Sequence, residues 1–175
     1  SRLAMPEITI GLYPDVGGTR FLNRTPGRTG LFLGLTGASM NAGDALFTGL
    51  ADFFIPHGRK DRVMERLSNI RWGGYLAADS KQVSDLMREL ESPETLPLSN
   101  VRTHYDLIEQ VTGQDSAAAV AEAILAIQSD DKWLVKAVQA LGKGCPVTAH
   151  LVYEQIKRGV DLSLEQVFQM ELIMS

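Results

Sequence analysis

The chain has 175 residues, of which 45% are hydrophobic and 22% are charged, and its formal net charge is −4. This length and composition are typical of one globular domain, with or without an appendage. The acidic balance argues against a nucleic-acid-binding protein, which would show a basic stripe. The longest apolar runs, such as residues 31–35, are far too short to span a bilayer. A single cysteine allows no internal disulfide, which fits a reducing compartment.

The first part of the chain is predicted to alternate short elements with proline and glycine breaks. Residues 2–5 are predicted to form a brief strand that Pro6 ends, because proline cannot donate to a strand ladder. Asp15 is predicted to cap a helix over about residues 17–23, since aspartate is a preferred N-cap residue. Further helices are expected at about 27–35, 39–48 and 61–70, with a short strand within 49–56.

The rest of the chain is predicted to consist of helices with polar joints. A break at residues 71–75 separates it from the first part, and residues 92–98 form the clearest linker. Asp131, Pro146 and Ser163 stand where helices are expected to begin. The predicted helices cover residues 80–90, 100–111, 116–129, 131–141, 147–159 and 163–174.

Two acidic residues, Glu7 and Asp15, lie in an opening stretch (residues 4–19) that is otherwise apolar and turn-forming. Apolar surroundings raise the free energy of a carboxylate, so an acid placed there is paired, hydrogen-bonded or chemically used. Two carboxylates in different environments can divide the work of a base and an acid. The structural alternative is that Asp15 only caps a helix and Glu7 is solvated at a strand end. The pattern alone favours that alternative.

Other candidate motifs favour structural interpretations. The Val-Gly-Gly-Thr turn at residues 16–19 lacks the lysine and the glycine spacing of a phosphate-binding loop. His57, His104 and His150 are scattered along the chain, so no metal site is expected. Cys145 stands at a predicted helix start, which lowers a thiol pKa, but it has no evident catalytic companion and a packing role is favoured.

The order of several motifs within about the first 55 residues resembles the crotonase (enoyl-CoA hydratase/isomerase) superfamily. The motifs are Met5-Pro6-Glu7, Ile10-Gly11-Leu12, Pro14-Asp15-Val16-Gly17-Gly18-Thr19, Leu33-Gly34-Leu35-Thr36-Gly37, Ala42-Gly43-Asp44-Ala45 and Gly49-Leu50-Ala51-Asp52. Within the superfamily the chain is most similar to the 3-hydroxyisobutyryl-CoA hydrolase branch. The cue is Asp15, which stands where typical hydratases have glycine or another small residue. Residues 141–148 and 169–171 are similar to the later helices of that branch, and residues 72–130 match more loosely.

The resemblance implies an α/β crotonase-like fold for the parent protein. The present chain is expected to be a fragment truncated at both ends, predominantly α-helical with a few short strands. Residues 1–71 correspond to the C-terminal part of the crotonase core, and residues 72–175 to a helical region characteristic of the hydrolase branch. The family's glycine-rich turn, which binds the thioester oxyanion, is expected upstream of Ser1. The fragment alone is therefore expected to be inactive and to expose an apolar face.

The activity that the resemblance implies is hydrolysis of an acyl-CoA thioester, with 3-hydroxyisobutyryl-CoA of valine catabolism as the substrate. Glu7 and Asp15 are the implied catalytic and substrate-binding residues. Glu7 is assigned as nucleophile or base, and Asp15 as acid or water-orienting group. No metal is implied, and CoA enters as part of the substrate, not as a separate cofactor. Two alternatives stay open, an enoyl-CoA hydratase or isomerase and a non-catalytic helical interaction module.

The expected partner is therefore an acyl-CoA substrate, with neither nucleic acid nor membrane. Members of the superfamily often assemble through the helical region, so a homo-oligomer is an option for the parent protein. A cytoplasmic location is expected, or a mitochondrial one if the parent is eukaryotic.

Overall fold

The computed structural model describes residues 2–174, and within them almost all regular structure is helical. Short 3₁₀ turns at Glu7–Thr9, His57–Arg59 and Pro93–Thr95 supplement the α-helices. The α-helices, numbered in chain order, are α1 (Gly18–Leu22), α2 (Thr29–Thr36), α3 (Ala42–Phe47), α4 (Lys60–Ser68), α5 (Leu76–Leu90), α6 (Asn100–Thr103), α7 (Tyr105–Thr112), α8 (Ala117–Leu125), α9 (Lys132–Lys143), α10 (Pro146–Arg158) and α11 (Leu164–Met174). The prediction of a predominantly helical chain is confirmed.

The strand predicted at residues 2–5 is wrong. Within the described part of that segment only Leu3 pairs, forming an isolated antiparallel bridge with Met40. The bridge has two backbone hydrogen bonds, of 3.0 Å from Leu3 N–H and 2.7 Å from Met40 N–H. Pro6 begins a turn directly afterwards, so the pairing does not extend into a ladder.

Two other predictions fail where tertiary contacts take over from the local pattern. Residues 49–56 form no strand, and the backbone N–H of Phe54 instead donates to the Glu91 carboxylate at 3.3 Å. The single helix predicted over residues 100–111 is divided into α6 and α7 at His104. The backbone of His104, at φ −105° and ψ 17°, leaves the helical region there.

The chain divides into two compact units. The larger unit combines the chain up to Leu50 with the chain from Leu98 onward, and the smaller unit is Ala51–Pro97. These two units are defined by how compactly their residues pack in the folded chain. The boundary predicted between residues 71 and 72 rests on the break at residues 71–75 and on the family resemblance, and it stays a prediction.

The core of the larger unit is built around α2, whose eight residues are all buried. Phe32, Leu33 and Leu35 point into this core, and α2 packs against α1, α7, α9 and α10. The helix ends at Gly37, which has a left-handed φ of 58°. A Cβ atom there would lie 3.1 Å from Pro6 Cα, so glycine lets the end of α2 lie against the chain just before the first 3₁₀ turn.

Asp44 is a completely buried carboxylate at the start of α3. Its Oδ2 accepts hydrogen bonds from the Asn41 backbone N–H at 2.8 Å and from Asn100 Nδ2 at 3.1 Å. Its Oδ1 accepts from the Ser99 hydroxyl and from the Val101 backbone N–H, both at 2.8 Å. The Asn41 side chain accepts from the Asp44 backbone N–H at 2.9 Å, which completes a capping box. Asp44 thus joins the start of α3 to the start of α6.

The smaller unit is built on α4 and α5. Leu90 near the end of α5 is buried, and Arg59 Nη1 donates to the carbonyl oxygens of Leu90 and Glu91, each at 2.9 Å. Arg66 on α4 and Glu89 on α5 form a two-pronged ion pair with both distances at 2.8 Å. This pair is exposed, so its contribution to stability is small.

Candidate active site

The first predicted acid, Glu7, begins the 3₁₀ turn Glu7–Thr9 directly after Pro6. The Pro6 carbonyl accepts from the Thr9 backbone N–H at 2.9 Å and from its hydroxyl at 2.7 Å. The Glu7 carbonyl accepts from the Leu12 backbone N–H at 3.1 Å. Ile8 is completely buried in the core of the larger unit. The backbone beneath Glu7 is therefore held by local hydrogen bonds and by the side chain that follows it.

One oxygen of the Glu7 carboxylate is buried without a hydrogen bond. Its Oε2 atom has no hydrogen-bond partner anywhere in residues 2–174. Buried polar groups in proteins are nearly always hydrogen-bonded, and leaving one unpaired costs about 1–3 kcal/mol, or more for a charged group. Such an exception needs an explanation, and a chemical role is one of the recognised ones.

The second predicted acid, Asp15, does not cap α1, so that prediction is wrong. The N-cap residue is Gly17, and no side chain of its own segment caps the helix. Val16 and Gly17 both have left-handed backbones, with φ of 54° and 84°, and they separate Asp15 from the start of α1. The Asp15 side chain is exposed, while its carbonyl accepts from the Gly18 backbone N–H at 2.8 Å.

A residue from the other end of the chain provides the cap that Asp15 does not. The Glu171 carboxylate, on α11, accepts from the Gly17 backbone N–H through Oε2 at 2.7 Å. Its Oε1 accepts from the Thr19 backbone N–H at 3.0 Å and from the Thr19 hydroxyl at 2.7 Å. A carboxylate is well suited to this place, because the first N–H groups of a helix lack intrahelical partners and favour negative charge.

Two further side chains fix the same turn. Gln155 Nε2, on α10, donates to the Pro14 carbonyl at 2.5 Å and to the Thr19 hydroxyl at 2.8 Å. The Tyr13 hydroxyl donates to the Glu171 backbone carbonyl at 2.7 Å. Tyr13, Thr19, Gln155 and Glu171 are all buried. The turn that carries Asp15 is therefore tied to both α10 and α11.

The sequence predictions missed Gln155 and Glu171 as site residues. Each lies on the buried side of its helix, Gln155 three residues after the buried Val152 and Glu171 four residues after the buried Val167. A long polar side chain in register with an apolar stripe is the signal that points to them, because burial of such a side chain requires hydrogen-bond partners.

The structure does not join the two predicted acids directly. No hydrogen bond links the side chains of Glu7 and Asp15 in the described part of the chain, and their catalytic assignment stays a prediction. Ile10 and Leu12, which lie between them, and Val16, which follows Asp15 directly, are 69%, 53% and 73% exposed. Large exposed apolar side chains in one segment are a candidate contact surface, and the apolar face expected from the resemblance stays a prediction.

The remaining candidates have structural surroundings. His104 stacks on Trp133 with ring centroids 5.8 Å apart, and its Nε2 lies 3.6 Å from Asp131 Oδ2. Cys145 is the N-cap residue of α10, where the backbone N–H of Thr148 lowers the pKa of the thiol. Among residues 2–174 no group of three or more His, Cys, Asp and Glu side chains is arranged to hold a metal ion. No helix in that range has both the length and the apolar character needed to cross a membrane.

The match to a known family covers the whole sequence. The model of the enoyl-CoA hydratase/isomerase family matches residues 1–175. The chain therefore belongs to this family, the crotonase family. The resemblance carried by the motifs of the opening segment is confirmed, and it extends through the helices that follow.

Three relatives show how differently members of the family are named. "3-hydroxyisobutyryl-CoA hydrolase, mitochondrial" of Danio rerio is 32% identical over 176 residues, spanning 98% of this chain and 44% of the relative. The crystal structure of a carnitinyl-CoA dehydratase from Mycobacterium thermoresistibile matches with a TM-score of 0.78 and 28% identity, over 98% of this chain and 46% of that one. "Small ribosomal subunit protein mS47" of Arabidopsis thaliana is 28% identical over 166 residues, 94% of this chain and 39% of the relative. The chain thus spans less than half the length of each.

Proposed function

We propose that the chain carries the acidic part of the active site of an acyl-CoA thioester hydrolase that acts on 3-hydroxyisobutyryl-CoA in valine catabolism. Because the chain spans 44% of the Danio rerio hydrolase, the oxyanion-binding part is proposed to come from sequence outside it. The observation that supports the proposal most directly is the buried Glu7 Oε2 atom without a hydrogen-bond partner. No donor of the described residues is hydrogen-bonded to this oxygen, which leaves its lone pairs uncommitted for the proposed chemistry.

Hydrolysis of a thioester adds water across the bond between the acyl carbon and the CoA sulfur. In one route the Glu7 carboxylate attacks the acyl carbon, and water then opens the resulting anhydride. In the other route Glu7 takes a proton from a water molecule whose oxygen attacks the acyl carbon. In both routes the C–S bond breaks, the sulfur leaves with the electron pair and a proton is supplied to it.

Asp15 is proposed to supply that proton or to orient the attacking water. Its side chain is exposed, so a proton given to the leaving group can be replaced from solvent. The exposed apolar side chains of Ile10, Leu12 and Val16 surround it in sequence, and an acyl chain or an apolar protein layer covering them would lower the local polarity.

Two relatives favour two alternative functions. The carnitinyl-CoA dehydratase structure favours hydration or isomerisation of an enoyl-CoA. The ribosomal-subunit relative favours a non-catalytic interaction module. The presence of both Glu7 and Asp15 in the opening stretch supports an enzyme over a module, which has no need of acids in an apolar turn.

The three functions are separated by a product assay on the full-length protein. Release of free thiol from 3-hydroxyisobutyryl-CoA supports hydrolysis. Loss of enoyl absorbance from an enoyl-CoA without thiol release supports hydration. Binding of CoA esters without turnover of either substrate supports the non-catalytic module.

Glu7→Gln tests the proposed role of the first acid. The substitution keeps the side-chain size and removes its basicity, so thiol release is expected to fall by roughly 100-fold or more. Glu122→Gln is the matched control, because Glu122 is an exposed residue of α8, and it is expected to retain wild-type turnover. Near-normal turnover of Glu7→Gln would remove Glu7 from the mechanism.

The proposed partner is an acyl-CoA substrate, and no separate cofactor is proposed. Assembly of the full-length protein into a homo-oligomer stays a prediction, which light scattering on the purified protein measures. A cytoplasmic location, or a mitochondrial one in a eukaryote, likewise stays a prediction.

A further inference from the structure

We propose that Glu171 is a positioning residue for Asp15 and acts through the turn at residues 14–17. This inference rests on the proposed function, because it gives Asp15 a place in the reaction. Glu171 lies on α11 and is only 4% exposed, and its carboxylate is directed at backbone N–H groups on both sides of the start of α1. Its role is therefore to hold the backbone that presents Asp15.

The turn needs support from outside its own sequence. Val16 is β-branched yet has a φ of 54°, a conformation that such residues rarely adopt. The segment supplies no side-chain cap for α1. The Asp15 side chain has no hydrogen bond in the described structure that would fix it, so the position of its carboxylate depends on the backbone.

That support comes from hydrogen bonds on each side of Asp15. Before it, the Pro14 carbonyl accepts from Gln155 Nε2 at 2.5 Å. After it, the N–H groups of Gly17 and Thr19 donate to Glu171 at 2.7 and 3.0 Å. The side chains that make these bonds are buried, where hydrogen bonds are stronger and their geometry is better defined than in water.

The contact at position 171 requires a carboxylate. Both oxygens of Glu171 accept, Oε2 from Gly17 and Oε1 from Thr19. A glutamine at this position offers one oxygen and one NH₂ group, so one of the backbone N–H groups would face a donor. Glu171→Gln therefore keeps the side-chain size while releasing one side of the turn.

A double-mutant cycle measures whether Glu171 acts through Asp15. The values of kcat and KM for thiol release are compared in the full-length wild type, Glu171→Gln, Asp15→Asn and the double variant. Because a displacement of about 1 Å of a reacting group costs about 100-fold in rate, Glu171→Gln is expected to lower kcat by roughly 10- to 100-fold with KM little changed. In the Asp15→Asn background it is expected to have no further effect.

A role of Glu171 in folding alone gives a different result. It would lower activity by the same factor in both backgrounds, and that outcome overturns the inference. Glu165→Gln is the matched control, because Glu165 is exposed in the first turn of the same helix. This control is expected to leave kcat unchanged.

Substitutions at Thr19 keep the inference testable if Glu171→Gln does not fold. The Thr19 hydroxyl donates to Glu171 and accepts from Gln155, so it links the two supports. Thr19→Val removes this link at constant volume and is expected to lower kcat, whereas Thr19→Ser is expected to restore it. Equal kcat in Thr19→Val and the wild type overturns the inference.

Amide hydrogen exchange over residues 15–19 separates this inference from the proposed function. The exchange is expected to be faster in Glu171→Gln than in Glu165→Gln, whatever reaction the protein catalyses. If the wild type hydrates an enoyl-CoA instead of releasing thiol, the proposed function fails and the same kinetic cycle is run on hydration. If it turns over neither substrate, the exchange decides: faster exchange supports Glu171 as the residue that holds the turn, and unchanged exchange rejects it.

Discussion

Replacing Asp44 with asparagine is expected to lower the free energy of unfolding by about 3 kcal/mol. The carboxylate accepts four hydrogen bonds, two at each oxygen. If the amide oxygen keeps the bonds from Ser99 and Val101, the NH₂ group faces the Asn41 N–H and the Asn100 amide. Asn100 can rotate its amide to accept, but the Asn41 backbone cannot, so one donor is left unpaired.

The magnitude follows from these contacts. A net bond to a charged acceptor contributes about 1.5–3 kcal/mol, and an unpaired buried donor adds a desolvation cost of similar size. The bonds that persist are weaker because the acceptor is no longer charged. The loss of one charged bond together with the weakening of the others gives the expected value of about 3 kcal/mol.

Urea denaturation followed by circular dichroism measures this change. The urea concentration at the unfolding midpoint is expected to fall, while the dependence of the unfolding free energy on urea stays nearly constant, because Asp44→Asn leaves the buried surface unchanged. Asp130→Asn is the matched control, because Asp130 is exposed outside any helix, and its effect is expected to stay within about 0.5 kcal/mol. A change in the free energy of unfolding of no more than about 0.5 kcal/mol for Asp44→Asn would refute the reasoning.

Two further predictions concern packing and pH. In Gly30→Ala the new Cβ would lie 2.0 Å from the Leu22 carbonyl oxygen. Thermal unfolding is therefore expected to show a loss of about 3 kcal/mol in the free energy of unfolding. Gly58→Ala is the control and is expected to change stability little, because its new Cβ would meet no atom within 4 Å. Asp131 caps α9, and the backbone N–H of Leu134 is the main cause of a pKa below the ordinary value of this carboxyl. A lowered pKa stabilises the folded state above about pH 4, and this contribution is lost as the pH falls through the folded-state value. Asp131→Ala is therefore expected to lower the free energy of unfolding by about 1 kcal/mol at pH 7. The difference in unfolding free energy from the wild type should shrink towards pH 2. A difference that does not depend on pH would contradict this prediction.

The helices with strong local signals are predictable from the sequence. On α9 the spacing of Leu134, Val138 and Leu141 indicates a buried face, and these residues do belong to or pack against the core. Asp131 accepts from the Trp133 and Leu134 backbone N–H groups, as an N-cap residue does. Pro146 is the first residue of α10, where proline's missing N–H is not needed. In each case the determining interactions lie within a few residues.

Features that depend on distant contacts are not predictable in this way. The interruption at His104 coincides with the stacking of its ring on Trp133, and the cap of α1 comes from Glu171. Glu171 and Gly17 are separated by 154 residues, so no local window contains both. The roles of Glu7 and Asp15 come from the family resemblance, because their local pattern favoured a structural interpretation.

The hydrogen bonds between Glu171 and the turn before α1 also affect the order in which parts of the chain fold during synthesis. Their partners are 152 and 154 residues apart, so the turn leaves the ribosome long before α11 has been synthesised. At about 5–20 residues per second, this interval is roughly 8–30 s. Local helices form within microseconds, whereas this pairing must wait for α11 and close a very long loop. We therefore expect the turn that presents Asp15 to reach its final geometry only after α11 has been synthesised.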